Sequence, residues 1–136
     1  MFHARLLSFI PKFMEKIYYN KLCRDKVPEI IEAKGFACEV REVDHDEYRR
    51  EIIRKVFEEA SGVSNHTDRE SLMKELADLL ITINAVKREF GISDAEVTEA
   101  MTKSLVDKGG YEKRLYISWS SDTEYNSHDK GRGFDD

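Results

Sequence analysis

Two acidic pairs, Glu58-Glu59 and Glu75-Leu-Ala-Asp78, are the residues of this chain best suited to chemistry. Glu75 and Asp78 are three apart, so a helix puts both carboxylates on one side. From Leu76 to Val86, Asp78 is the only charge. A helix that apolar has little outward polar face and is expected to be packed on several sides. A carboxylate in such surroundings is costly unless something positive compensates it. Clustered carboxylate oxygens suit hard divalent cations. The pattern points to a metal-dependent site.

On a helical wheel, Glu59 lies at the flank of the stripe made by Ile52, Val56 and Val63, and Glu58 points almost directly away from it. If one of the two reaches an interior site, it is expected to be Glu59. The plainer alternatives are a solvated Glu58 and a Glu59 paired with Lys55, four residues earlier. Glu75 has its own alternative in a surface pair with Lys74 or Arg69. Asp78 has little alternative, because its neighbours are apolar on both sides.

Four helices are expected to position these groups. The first is short, capped by Asp25, with Pro28 in its first turn and Gly35 at its stop. Cys38 to Val43 alternates strictly and reads as a strand. Asp44 or Asp46 opens a long helix with Tyr48, Ile52, Ile53, Val56, Phe57, Ala60 and Val63 on its apolar face. The stretch from Gly62 to Asp68 reads as a loop or a frayed end. Asp68 caps a third helix from about Arg69 to Phe90, closed by Gly91. Ser93 caps the fourth, with Glu96 completing a capping box, and the helix ends at Lys108 before Gly109-Gly110. Tyr111 to Trp119 is expected to form a second short strand beside Cys38 to Val43. The fold class is mainly α: a small helical bundle with a two-stranded accessory ribbon.

At 136 residues the chain is expected to hold one folded domain, residues 17–118. Charged residues at 36% and hydrophobic residues at 40% fit a soluble, helix-rich protein. A net charge of −5 argues against broad electrostatic binding to nucleic acid. Cys23 and Cys38 have neither CxxC nor zinc-ligand spacing, so they are expected to be reduced thiols in the cytoplasm. No apolar run is long enough to cross a membrane. Residues 1–16 carry Phe2, Leu6, Phe9 and Phe13 at helical spacing beside Arg5, Lys12 and Lys16. They are either a targeting or membrane-surface segment or, the preferred reading, a start-site artefact with Met14 as the true start. Residues 119–136 are polar and expected to be disordered.

Four segments carry a resemblance. They are Tyr19-Asn20-Lys21-Leu22-Cys23-Arg24-Asp25-Lys26-Val27-Pro28-Glu29-Ile30-Ile31, Lys55-Val56-Phe57-Glu58-Glu59-Ala60, Glu75-Leu76-Ala77-Asp78, and Lys108-Gly109-Gly110-Tyr111-Glu112-Lys113-Arg114. In that order and spacing they resemble MazG-like all-α nucleotide pyrophosphohydrolases, in particular the phosphoribosyl-ATP pyrophosphohydrolase-like group. The resemblance implies an ExxE on one helix and an ExxD on the next, holding Mg²⁺. The second motif is complete here. In the first, Gly62 stands where the last Glu is expected, and Glu58, Asp68 or a water could fill the vacancy.

The resemblance implies a magnesium-dependent enzyme that cleaves a nucleoside triphosphate or related nucleotide to the monophosphate and pyrophosphate. Glu59, Glu75 and Asp78 would be its catalytic carboxylates, with Glu58 a further candidate metal ligand. The metal would polarise the phosphorus and lower the pKa of an attacking water. Lys21, Arg24, Lys26, Lys103 and Lys108 are the candidate phosphate-binding cations, although for each the plainer reading, a solvated side chain, is the favoured one. The resemblance also implies a homo-oligomer, either dimer or tetramer. Because of Gly62, the alternative is a weak or inactive relative that binds nucleotide or serves as an oligomeric interaction module. On the first reading, Gly62→Glu raises turnover if the missing ligand limits activity. A plain helical structural domain is the third reading, and it leaves Asp78 unexplained.

Overall fold

The computed structural model describes residues 15–124. Its helices are α1 (Val27–Ala33), α2 (His45–Ser64), α3 (Arg69–Glu89) and α4 (Asp94–Lys108). The described chain is mainly α and divides into two units, one through Val97 and one from Thr98. The expectations for residues 1–14 of the N-terminal extension and for residues 125–136 of the tail lie outside the described residues.

Local chemistry sets the helix ends. Asp44, rather than Asp46, caps α2, its Oδ1 accepting from Glu47 N at 2.8 Å. Asp68 caps α3, accepting from Ser71 N at 2.8 Å, while Asp68 N donates to the Ser71 hydroxyl at 3.1 Å. Ser93 N donates to Glu96 Oε2 at 2.7 Å, and Glu96 N donates to Ser93 Oγ at 3.1 Å, the reciprocal pair of a capping box. Gly91 and Gly109 follow their helices at φ of 66° and 76°, where any larger side chain is strained.

Two expectations are corrected. The N-cap of α1 is Lys26, without a side-chain bond, and Asp25 does not cap it. A turn already binds Val27 N to Arg24 O at 3.0 Å, and Pro28 brings no N–H, so little is left for a cap to satisfy. Nor does the two-stranded ribbon form: no strand occurs among the described residues, and Cys38–Val43 and Tyr111–Trp119 are irregular. Alternation marks the sides of an extended chain, but a strand exists only through a partner's ladder. Most of Cys38–Val43 is exposed, with only Cys38 and Val43 half-buried, so no sheet face supports it. Cys23 and Cys38 are both free thiols.

The first unit is organised around α2 and α3, which pack along their lengths. They run antiparallel. His45 at the start of α2 meets Glu89 at the end of α3 at 2.9 Å, while Gly62 near the end of α2 lies against Glu75 near the start of α3. Ile52 is the one hydrophobic residue buried outright among the described residues. Opposite it, Thr82 is buried with its hydroxyl donating to Asp78 O at 3.0 Å. The expectation that α3 is packed on several sides is not met within the unit. Met73, Leu76, Leu80 and Ile83 form an exposed stripe along it, Leu80 being 60% accessible. No described helix is long and apolar enough to cross a membrane.

Candidate metal centre

The facing sides of α2 and α3 repeat at helical spacing: Tyr48, Ile52, Val56, Glu59 and Val63 on one, Leu72, Glu75, Asp78, Thr82 and Val86 on the other, all at least half-buried. Apolar residues hold the helices together through the middle, and carboxylates face each other at one end. There Glu59, Glu75 and Asp78 each bring an oxygen to within 4.8 Å of the others. Three like charges this close repel one another unless a cation stands among them.

The protein's own cations compensate only in part. Lys55, with a side chain 15% accessible, sets its Nζ 3.0 Å from Glu58 and 3.8 Å from Glu59. Arg24, from the segment before α1, lies with its Nη1 3.4 Å from Asp78 Oδ1. Glu75 has no ion pair among the described residues. The chain turns at Asn20, whose φ of 48° is one that asparagine tolerates, and Lys21 then pairs with Glu58. That hydrogen bond, aided by Lys55, holds the Glu58 carboxyl below its ordinary value against partial burial, which acts the other way.

The structure brings together Glu59, Glu75 and Asp78, with Arg24 at their margin. Glu58 is not among them: one residue from Glu59, it is turned by about 100° around the helix and is held by Lys21 and Lys55. Asp68, a possible substitute for the missing Glu, is engaged as the cap of α3. Lys26 is exposed at the N-cap of α1. Lys103 and Lys108 are exposed on the part of α4 that belongs to the second unit. Sequence reasoning treated Lys55 only as a partner of Glu59. Its spacing of three from Glu58 was the signal for the second contact.

A donor set made wholly of carboxylate oxygens fits a hard divalent cation. Bonds of about 2.1 Å in an octahedron space ligand oxygens roughly 3 to 4 Å apart. The three oxygens lie within 4.8 Å of one another, an outer limit somewhat wider than that spacing. Residues of this kind can hold an ion at the end of a helical pair and leave its outer side for waters and a phosphate. Comparison with known proteins finds no matching family model, no matching curated protein and no matching solved structure.

Proposed function

We propose that this chain is a magnesium-dependent nucleotide pyrophosphohydrolase, cytoplasmic and built as a MazG-like helical bundle, that cleaves a nucleoside triphosphate or related nucleotide to monophosphate and pyrophosphate. One observation carries the reading: the convergence of Glu59, Glu75 and Asp78 from facing helices to within 4.8 Å. These three residues would hold Mg²⁺, which supplies phosphate polarisation and an acidified water when bound. Arg24 and Lys21, on a segment that already reaches the acidic groups, are suited to neutralise substrate phosphates. Lys55 remains against Glu58 and Glu59, limiting the repulsion among the carboxylates.

Self-association belongs to the same reading. One outright-buried hydrophobic residue among the described residues is a thin core, and the exposed stripe of Met73, Leu76, Leu80 and Ile83 gives a second copy an apolar surface to cover. The proposed assembly is a dimer or tetramer.

The second reading is a weak or inactive relative that binds nucleotide, and Gly62 in place of a carboxylate favours it. Pyrophosphate release from a nucleotide panel with Mg²⁺, for the wild type and Asp78→Asn, separates the two. Turnover in the wild type that Asp78→Asn abolishes is the expected result. Saturable nucleotide binding by the wild type with no pyrophosphate released overturns the enzyme in favour of the relative.

A further inference from the structure

Gly62 occupies the helical position at which the resembled motif has a carboxylate, but its surroundings differ from those of a simple gap. An added Cβ at Gly62 would overlap the Glu75 Oε2 and stand 3.1 Å from its Cδ. The Glu75 carboxylate therefore rests against bare backbone on α2, in space that any side chain at position 62 would fill. It has no ion pair there among the described residues, and it sits beside two other carboxylates. Gly62 lies inside α2 and is not among the glycines with positive φ. The glycine is therefore not needed for its backbone conformation. At that position alanine would be the better helix former.

We infer that Gly62 is a positioning residue: its missing side chain seats the Glu75 carboxylate across the gap between α2 and α3, so that three carboxylates make a cation site where the resembled motif uses four. This rests on the proposed metal reading and adds to it that the site depends on having no side chain at position 62. Gly62→Glu then does not add a fourth ligand to an otherwise intact set. Its Cβ moves the Glu75 carboxylate off that seat, a shift the flexible side chain can make, so the new carboxylate comes with the old one displaced and the substitution is not expected to raise turnover.

The test uses the full chain, Mn²⁺ as the probe, and calorimetry with the spectrum of free Mn²⁺ as readouts. Gly62→Ala is expected to weaken Mn²⁺ binding about tenfold, while its thermal midpoint stays level or rises because alanine favours the helix. Loss of affinity without loss of stability is what a merely structural glycine would not produce. Glu75→Asp alone also weakens binding. Placed in the Gly62→Ala background it draws the carboxylate back by one methylene, and the double variant is expected to bind more tightly than Gly62→Ala. Unchanged affinity in Gly62→Ala, or a loss that Glu75→Asp does not recover, overturns the seat while leaving the metal reading intact. A wild-type chain that takes up no Mn²⁺ overturns both.

Discussion

Asp78→Asn keeps the shape of the side chain and removes one of three negative charges. Its oxygen lies within 4.8 Å of both Glu59 and Glu75. Each pair repels by at least about 0.9 kcal/mol at the dielectric of water and about 3.5 kcal/mol at an effective value of 20. Lys55 beside Glu59 already offsets part of this repulsion, so the lower limit is used, and the two pairs together come to about 2 kcal/mol. Losing the 3.4 Å contact with exposed Arg24 returns up to about 1 kcal/mol. The metal-free variant is therefore expected to be more stable than the wild type by about 1 kcal/mol, a rise in Tm of roughly 4 °C. Magnesium reverses the order. At ten times its Kd, an ion that binds only the folded wild type adds about 1.4 kcal/mol, and the variant gains little. Thermal unfolding followed by circular dichroism, with and without Mg²⁺, reads both effects. A lower metal-free Tm together with an undiminished magnesium response would refute the reasoning, because Asp78 would then be a structural ion-pair partner of Arg24.

Two further outcomes follow from the same geometry. Leu76→Glu with Leu80→Glu sets charges on the exposed stripe of α3, and light scattering should find a smaller assembly than the dimer or tetramer proposed for the wild type. An unchanged mass would exclude this stripe from the interface. Acid should weaken the fold: His45 and Arg49 hold Glu89 below its ordinary 4.5, Lys21 and Lys55 do the same for Glu58, Arg41 for Glu47, and Lys87 holds Asp94 below 3.8. The folded chain then binds fewer protons than the unfolded one, so this stability is complete above those ordinary values and is lost as pH falls through the lower folded ones. A Tm that stays flat through that acid range would remove these pairs from the account, and added salt should shrink the effect because each pair has at least one solvent-accessible member.

What could be read from residues alone was what depends on neighbours within a turn or two. Asp68 with Ser71, Ser93 with Glu96, and the glycines after α3 and α4 act on adjacent backbone, so their helix ends were legible. The angular choice of Glu59 over Glu58 came from helical period, since 3.6 residues per turn fixes which side chains share a face. The ribbon was misread because alternation describes one chain while a strand needs two. The α1 cap was misread because a turn and a proline had already removed the donors it would serve.

Sequence by itself determined the helices, the ends of α3 and α4, and the angular choice of Glu59 over Glu58, because these follow from local hydrogen bonding and periodicity. Tertiary structure decided the rest. The antiparallel register of α2 on α3 sets Glu75 against Gly62 rather than against another residue, and that contact turns a glycine into part of the site. The same packing covers one side of α3 and leaves Leu76 and Leu80 in water, so Asp78 is half-buried rather than enclosed. Such distances arise between residues far apart in the chain, where no local preference can set them.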